Sequence, residues 1–236
     1  MNMKRLPLAG LLAAAALPIP VFAGDCDHVR NIDLALELDG IETVAFDVGS
    51  HDLEVRTAQG TAATLRGRAC ASSESALDEL RVVQEREGST LEVRLERDDG
   101  IAWNLFGNRY ASLDVTATLP RDMAVRVDVG SGDALVAGVA SLRTSVGSGD
   151  LQASGIPGPV AVDVGSGDVQ LEDIGALRVE SIGSGDVTAA RVRGDASVGS
   201  IGSGDFDLYG AGGNVQVGSV GSGDAGLRNV DLPADH

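Results

Sequence analysis

The sequence is poor in lysine, histidine and aromatic residues. Lysine occurs once among the 236 residues, there are three histidines, and aromatic side chains make up 3% of the chain. Acidic residues outnumber basic residues by 35 to 18, which gives a net charge of −17. Nucleic acids are bound by clustered cations, and anionic lipid surfaces repel an acidic chain. The composition therefore argues against both kinds of partner.

The residues that catalysis needs are also scarce. The histidines are His28, His51 and His236, and no serine lies in the Gly-x-Ser-x-Gly pattern of a nucleophile elbow. The many Gly-Ser-Gly segments are not phosphate loops, because no lysine follows them. We therefore expect a protein that is not an enzyme and that carries no cofactor.

The first residues have the pattern of a secretory signal. Lys4 and Arg5 precede an apolar run over residues 6–21, which is followed by Ala23. A cationic segment, an apolar segment and a small residue at the end are typical of a cleaved signal peptide. The run is too short and too rich in proline for a transmembrane helix, and no later stretch is long enough for one. We expect residues 1–23 to be removed and the rest to be periplasmic or secreted.

Two cysteines, Cys26 and Cys70, remain after such a cleavage. In an exported chain a pair of this kind predicts a disulfide. A redox or metal pair would need a spacing and partner residues that the sequence lacks. In the chain-entropy model, closing a loop of about 45 residues stabilises a fold by about 4 kcal/mol.

The second half of the chain repeats one short motif, an apolar residue followed by Gly-Ser-Gly-Asp. The repeat recurs every 17 to 19 residues, and a fixed period of this length is typical of stacked repeats. The residues one, three and six positions after each aspartate are apolar, and a β-branched residue precedes each motif. The aspartates of the six copies are Asp133, Asp150, Asp168, Asp186, Asp205 and Asp224. This pattern predicts an all-β fold, a β-solenoid resembling a parallel β-helix with coils of about 18 residues.

We divide the chain after the signal peptide into two regions. Residues 24–119 form an N-terminal β region that contains a degenerate first repeat at residues 49–52, and residues 120–236 form the regular solenoid, continuous with it. Within the first region we expect a short helix over residues 74–80, capped by Ser72 or Ser73. A hairpin should follow over residues 80–97, with its turn at Gly88-Ser89.

The last three motifs are preceded by one additional residue in the strand. An extra residue would reverse the facing of the strand unless a β-bulge absorbs it. We therefore predict stacked bulges at residues 180–181, 199–200 and 218–219.

The aspartate column has two interpretations. The first is local, because aspartate and serine bond to turn backbone and glycine provides positive φ. The alternative is a ladder of calcium sites, since the period equals two nine-residue calcium-binding repeats. The spacing of glycine and aspartate differs from those repeats, and one carboxylate per layer provides few of the oxygens that calcium requires. We favour the structural interpretation, with no metal.

Three aromatic residues lie within eight positions, at Trp103, Phe106 and Tyr110. Solenoids need caps on their ends and edges, and this segment is a candidate cap. The alternative is an exposed platform that binds a glycan or a protein.

The segment Gly165–Leu171, with its Gly-Ser-Gly-Asp-Val-x-Leu pattern, resembles the bacterial DUF4097 family of β-strand-repeat proteins, which are described as candidate adhesins. The resemblance covers about residues 40–232. It implies a repetitive β fold and offers no catalytic residues, and any function taken from it is a fold-level analogy. We therefore expect a non-catalytic scaffold or adhesin-like module, with an unknown protein or glycan of the cell envelope, or a second copy, as its partner. A calcium-dependent β-roll is the alternative.

Overall fold

The computed structural model describes residues 26–98 and 110–230. Within these ranges the chain forms a succession of β-strands and one short helix, α1 (Glu74–Asp78). In chain order the strands are β1 (His28–Ala35), β2 (Thr43–Gly49), β3 (Asp52–Ala58), β4 (Thr64–Ala71), β5 (Leu80–Glu87), β6 (Thr90–Arg97), β7 (Ala111–Pro120), β8 (Ala124–Val129), β9 (Ala134–Ala137), β10 (Ser141–Val146), β11 (Leu151–Ser154), β12 (Pro159–Val164), β13 (Val169–Ile174), β14 (Ala176–Ile182), β15 (Val187–Val192), β16 (Ala196–Ile201), β17 (Phe206–Ala211), β18 (Val215–Val220) and β19 (Ala225–Val230).

The strands make two sheets that face each other. The first sheet has ten strands in the order β1-β4-β7-β3-β9-β11-β13-β15-β17-β19, and the second has nine in the order β18-β16-β14-β12-β10-β8-β2-β6-β5. From β8 onwards successive strands alternate between the sheets, and each pairs in parallel with the strand two places away in the chain. Each coil thus contributes one strand to each sheet, which confirms the predicted β-solenoid.

Apolar columns fill the space between the sheets. The residue after each motif aspartate points inward and stacks on its counterpart in the next coil, as Leu151 does on Val169. The buried members of this column are Leu53, Ala134, Leu151, Val169, Val187 and Phe206. One coil cannot bury such a row alone, so the stacking of coils supplies the core.

The degenerate first repeat occupies a coil inside the stack. Its strands β2 and β3 pair in parallel with β8 and β9 on one side, although 81 residues separate Asp52 from Asp133. On the other side the same strands pair in parallel with β6 and β7. The insertion between the first two motif copies therefore adds a further pair of strands beneath the first motif coil.

Antiparallel strands close the N-terminal end of the stack. β5 pairs with β6 as the predicted hairpin, β4 pairs with β7, and β1 pairs with β4. Helix α1 is shorter than predicted, because it ends at Asp78, but its cap is one of the two predicted serines: the Ala76 N–H donates to Ser73 Oγ at 3.2 Å. At the opposite end β18 and β19 are the last described strands, and Val220 there is 44% exposed.

The predicted disulfide joins Cys26 to Cys70, with 5.5 Å between the Cα atoms. Cys70 lies in β4, and its register partner in β1 is Val29. The bond therefore fixes the chain just before β1 to the end cap of the solenoid.

The predicted bulge is present in β14. Val162 pairs with Val179 and Val164 with Ile182, so Asp163 alone faces both Glu180 and Ser181. The next two strands contain the same additional residue and remain in register with β14, since Ser181 pairs with Ser200 and Ser200 with Ser219. The bulge thus restores the inward facing of the apolar residues in the last three coils.

Candidate functional site

The motif aspartates form a column that bonds one coil to the next. The Asp168 backbone N–H donates to Asp150 Oδ1 at 3.3 Å, and the same bond recurs at every step from Asp52 to Asp224 with distances of 2.9 to 3.3 Å. A bond within each turn was the expectation from the sequence. The bond instead joins neighbouring coils, so the column acts as a second ladder beside the sheets.

The motif glycines serve close packing and do not provide positive φ. From Gly130 to Gly223 none of the motif glycines is among the residues with positive φ, which corrects the expectation from the sequence. A Cβ on Gly167 would lie 1.8 Å from the carbonyl oxygen of Gly149 in the preceding coil. The equivalent distance at the other second glycines of the motif is 1.7 to 1.9 Å. The turns therefore stack so closely that a side chain has no room.

Positive φ occurs instead at the opposite corner, in the fifth residue after each motif aspartate. The members of this column are Gly138, Gly155, Asp173, Arg191, Gly210 and Asn229. Arg191 Nε and Nη2 donate to the two Asp173 carboxylate oxygens at 2.7 and 3.0 Å. The hydrogen bond from Arg191 holds the pKa of Asp173 below its ordinary value. Three of the six positions carry glycine, the residue typical of positive φ, whereas Asp173, Arg191 and Asn229 carry no such signal in the sequence.

His51 stands in the place of the second motif glycine of the first coil. It is 2% exposed, and the Leu113 N–H donates to its Nδ1 at 3.2 Å. Burial lowers the pKa of His51, and the positive charge of Arg97 lowers it further. The buried, neutral imidazole therefore accepts a backbone hydrogen bond inside the stack, and its role is structural.

Asp52 begins the aspartate column. Burial raises the pKa of its carboxyl above the ordinary value, the hydrogen bond from the Asp133 N–H lowers it, and the negative charges of Asp133 and Asp114 raise it. Within residues 26–98 and 110–230, no group of three His, Cys, Asp or Glu side chains could hold a metal ion.

The aromatic segment is described only at its end. Trp103 and Phe106 lie outside the described residues, and neither interpretation of the segment is tested. Tyr110 is 39% exposed; the Asp27 backbone N–H donates to its hydroxyl at 3.1 Å, and its own N–H donates to Ser72 Oγ at 3.2 Å. Tyr110 therefore fixes the segment around Cys26 to the end cap.

The outer faces of the two sheets carry shallow grooves. The one on the first sheet is lined by polar side chains that include Gln152, Gln170 and Thr188, and its volume is about 270 Å³. One groove on the second sheet is lined by Arg126, Arg143 and Arg178, and its volume is about 450 Å³. Another beside it is lined by Arg126 and Arg143 together with Asp128, Asp163 and Glu180. Sequence analysis missed this arginine row, because only the register of β8, β10, β12 and β14 brings the three residues into one column.

A family model described as Toastrack DUF4097 matches residues 41–231. No curated protein matches the chain significantly. Within the described residues no helix is both long and apolar enough to cross a bilayer.

Several solved structures are similar to the chain at low identity. A candidate cell adhesion protein from Clostridium sporogenes is 14% identical, with a TM-score of 0.42 over 85% of this chain and 99% of that one. A candidate lipid-binding protein from Parabacteroides distasonis is 15% identical, with a TM-score of 0.42 over 83% and 96%. A candidate adhesin from Bacteroides fragilis is 15% identical, with a TM-score of 0.42 over 85% and 97%.

Proposed function

The chain belongs to the Toastrack DUF4097 family, and from that premise we propose that it is an exported, non-catalytic β-solenoid scaffold with an adhesin-like role. Its outer faces bind a protein or a glycan at the cell envelope. Residues 1–23 direct export, residues 24–119 form the capped N-terminal β region, and residues 120–236 form the regular solenoid that continues it.

One observation carries this proposal: the solenoid is filled with apolar side chains, and its polar rows face outward. Leu142 and Val160 are buried, whereas Arg143 next to Leu142 is exposed on the outer face. The same alternation repeats along both sheets, and the grooves lie on their outer faces. Rigid, regular rows of exposed side chains suit recognition of a partner from outside, since they need no rearrangement to bind.

The disulfide supports a location outside the cytoplasm, because such bonds persist in oxidising compartments. We favour the scaffold over the calcium-dependent β-roll for a chemical reason. In the column from Asp52 to Asp205, Oδ1 of each carboxylate already accepts a backbone N–H. One carboxylate per coil, with one oxygen engaged, offers few ligands to an ion that takes six to eight.

Cell fractionation and a binding assay test the proposal. We expect the protein outside the cytoplasm with Cys26 and Cys70 oxidised, and we expect residues 24–236 to bind isolated envelopes of the source bacterium saturably. An unrelated protein of similar size and acidity is the control for non-specific sedimentation. A reduced protein in the cytoplasm, or envelope binding no greater than that of the control, would overturn the proposal. Light scattering of the same samples measures self-association, the other partner that the sequence suggested.

A further inference from the structure

The two ends of the stack are built differently. At the N-terminal end the outermost strands β1 and β5 carry charged side chains, among them Arg30, Asp33, Arg86 and Glu87. Charges on an outermost strand disfavour pairing with another chain. Helix α1 also contacts β1, β4 and β5, and the Arg30 guanidinium donates to the carbonyl oxygen of Leu80 on β5. This end is therefore closed to further strands.

The C-terminal end of the stack is open. Among the described strands, β18 pairs only with β16 and β19 only with β17, so one backbone edge of each has no partner strand. The two strands together carry a single charged residue, Arg228. Nearly uncharged edges of this kind are templates for pairing with another chain.

In the described part of the chain, the apolar columns of the core end in this last coil with no further coil over them. Val220 stacks on Ile201 and is 44% exposed, whereas Ile201 is 3% exposed. Leu227 stacks on the fully buried Leu208, yet it is only half-buried. Position explains the change, because each earlier coil is covered by the next. The open end thus consists of two unpaired edges with an apolar layer between them.

The shape of this end selects the kind of partner. A single extended peptide can pair with β18 or with β19, but it leaves the other edge and most of the apolar layer uncovered. A partner that covers the whole end must present two strands about 10 Å apart, the separation of facing sheets, with apolar side chains between them. The same end of a second copy presents this arrangement. The N-terminal end of another copy does not, because its edges are charged and α1 contacts both of them.

From this asymmetry we infer that two copies of the chain associate through their C-terminal ends, with β18 antiparallel to β18 of the other copy and β19 antiparallel to β19. A two-fold axis normal to both sheets generates the two pairings together and closes the assembly at two copies. Both sheets then continue from one copy into the other, and Val220 and Leu227 become buried. The outer faces stay free, so the dimer does not depend on the proposed binding of an envelope partner.

The effect of salt distinguishes this dimer from one held by ion pairs. The chain has a net charge of −17, so two copies repel each other, whereas the two contacting strands carry only one charge. Salt screens the repulsion between the copies. We therefore expect dimerisation to become several-fold tighter between about 0.05 M and about 0.5 M NaCl, whereas salt would weaken a dimer held by the charged outer faces.

Sedimentation equilibrium of residues 24–236 tests the inference. The contact is small, about 20 Å along the strands by about 10 Å between the sheets, so we expect a reversible dimer at about 10–100 μM protein. V220K/L227K places two charges in the apolar layer and should weaken the dimer at least about tenfold.

The matched control is V29K/L135K. It makes the same two kinds of substitution away from the C-terminal end, at side chains that are 53% and 41% exposed. Because it changes the net charge by the same amount, it should dimerise like wild type. Thermal unfolding confirms that each variant is folded.

Distances between spin labels locate the contact in a chain whose apolar layer is unchanged. Gln216 on β18 and Glu87 on β5 are both exposed. The two labelled positions of a Q216C dimer should lie within about 25 Å, the length of a six-residue strand plus one strand spacing. Those of an E87C dimer should lie about 80 Å apart, because the nine strands of the second sheet in each copy separate them. If V220K/L227K does not fold, these distances decide alone.

Four results would overturn the inference: a wild type that stays monomeric, unchanged dimerisation of V220K/L227K, equal losses in the two double variants, or labels at Q216C no closer than those at E87C. A monomeric wild type that dimerises once residues 231–236 are deleted would assign the open end to that segment instead. A dimer that salt weakens would assign the contact to the charged outer faces instead. Each of these results leaves the proposed function intact, since envelope binding is measured separately.

Discussion

The second motif glycine of one coil packs directly against the second motif glycine of the coil before it: a Cβ on Gly167 would lie 1.8 Å from the carbonyl oxygen of Gly149. Backbone cannot move away without breaking the ladder, in which the Ser166 N–H donates to Gly147 O at 2.7 Å. We therefore expect Gly167→Ala to reduce the free energy of unfolding by about 3 kcal/mol or more, beyond ordinary overpacking. Denaturant unfolding measures this loss.

The neighbouring residue supplies the control for that prediction. Ser166 is exposed in the same turn, and Ser166→Ala should change the unfolding free energy by less than about 0.5 kcal/mol. Equal stability of Gly167→Ala and wild type would show that the turns do not stack as closely as described.

The aspartate column stabilises the fold through hydrogen bonds that the amide oxygen of an asparagine side chain can also accept. Asp150→Ala removes the acceptor of the Asp168 N–H and should cost about 0.5–1.5 kcal/mol. Asp150→Asn keeps an acceptor oxygen and removes repulsion of about 0.8 kcal/mol per neighbouring carboxylate before screening. We expect the asparagine variant to be at least as stable as wild type in chemical denaturation. A loss as large as that of the alanine variant would mean that the negative charge itself is required.

His51 should make stability fall in mild acid. Burial and Arg97 hold the pKa of His51 in the folded protein below its ordinary value of 6.5, so the unfolded chain binds the proton more readily. The contribution of His51 to the free energy of unfolding is complete above its pKa in the unfolded chain. It is lost as the pH falls towards its pKa in the folded protein, by at most about 1.4 kcal/mol per pH unit. The melting temperature between about pH 7.5 and about pH 5.5 tests this, because the ordinary pKa of histidine lies within that range.

A histidine elsewhere isolates the effect. His28 is exposed at the start of β1, and His28→Gln should leave the pH profile unchanged. His51→Gln cannot titrate and should flatten the profile, whatever its effect on the absolute melting temperature. An unchanged profile in His51→Gln would assign the pH dependence to other groups.

The disulfide should contribute through the unfolded chain. Cys26→Ser with Cys70→Ser opens a loop with a sequence separation of 44 residues, and the chain-entropy model gives a loss of about 4 kcal/mol. The loss should appear in equilibrium unfolding of the double variant and of wild type under reducing conditions alike. A double variant as stable as oxidised wild type would contradict this expectation.

The sequence predicted the features that repeat locally. The strands, the hairpin, the disulfide and the bulge at Glu180–Ser181 all follow from alternation, pairing of cysteines or a change of period. The physical role of the motif did not follow, because one repeat in isolation looks like a turn that needs flexible glycine. Its true constraint is the approach of Gly149 and Gly167, which exists only after coils stack.

The arginine row on the second sheet could not be predicted from the sequence for a related reason. Arg126, Arg143 and Arg178 are separated by unequal stretches of sequence, and Ala161 occupies the register position between the last two. Only the parallel register, including the added residue in β14, places them in one row. The position of Glu180 between two of them depends on the same bulge.

The central claim is that the Gly-Ser-Gly-Asp column holds coils together without a cation, and thermal unfolding of residues 24–236 tests it most directly. The melting temperature is measured in EDTA and then in millimolar calcium. The account predicts the same melting temperature in both, because the carboxylates already accept backbone N–H groups from the next coil. A large rise with calcium that EDTA reverses would contradict the account, since only an ion bound to the folded state stabilises in this way.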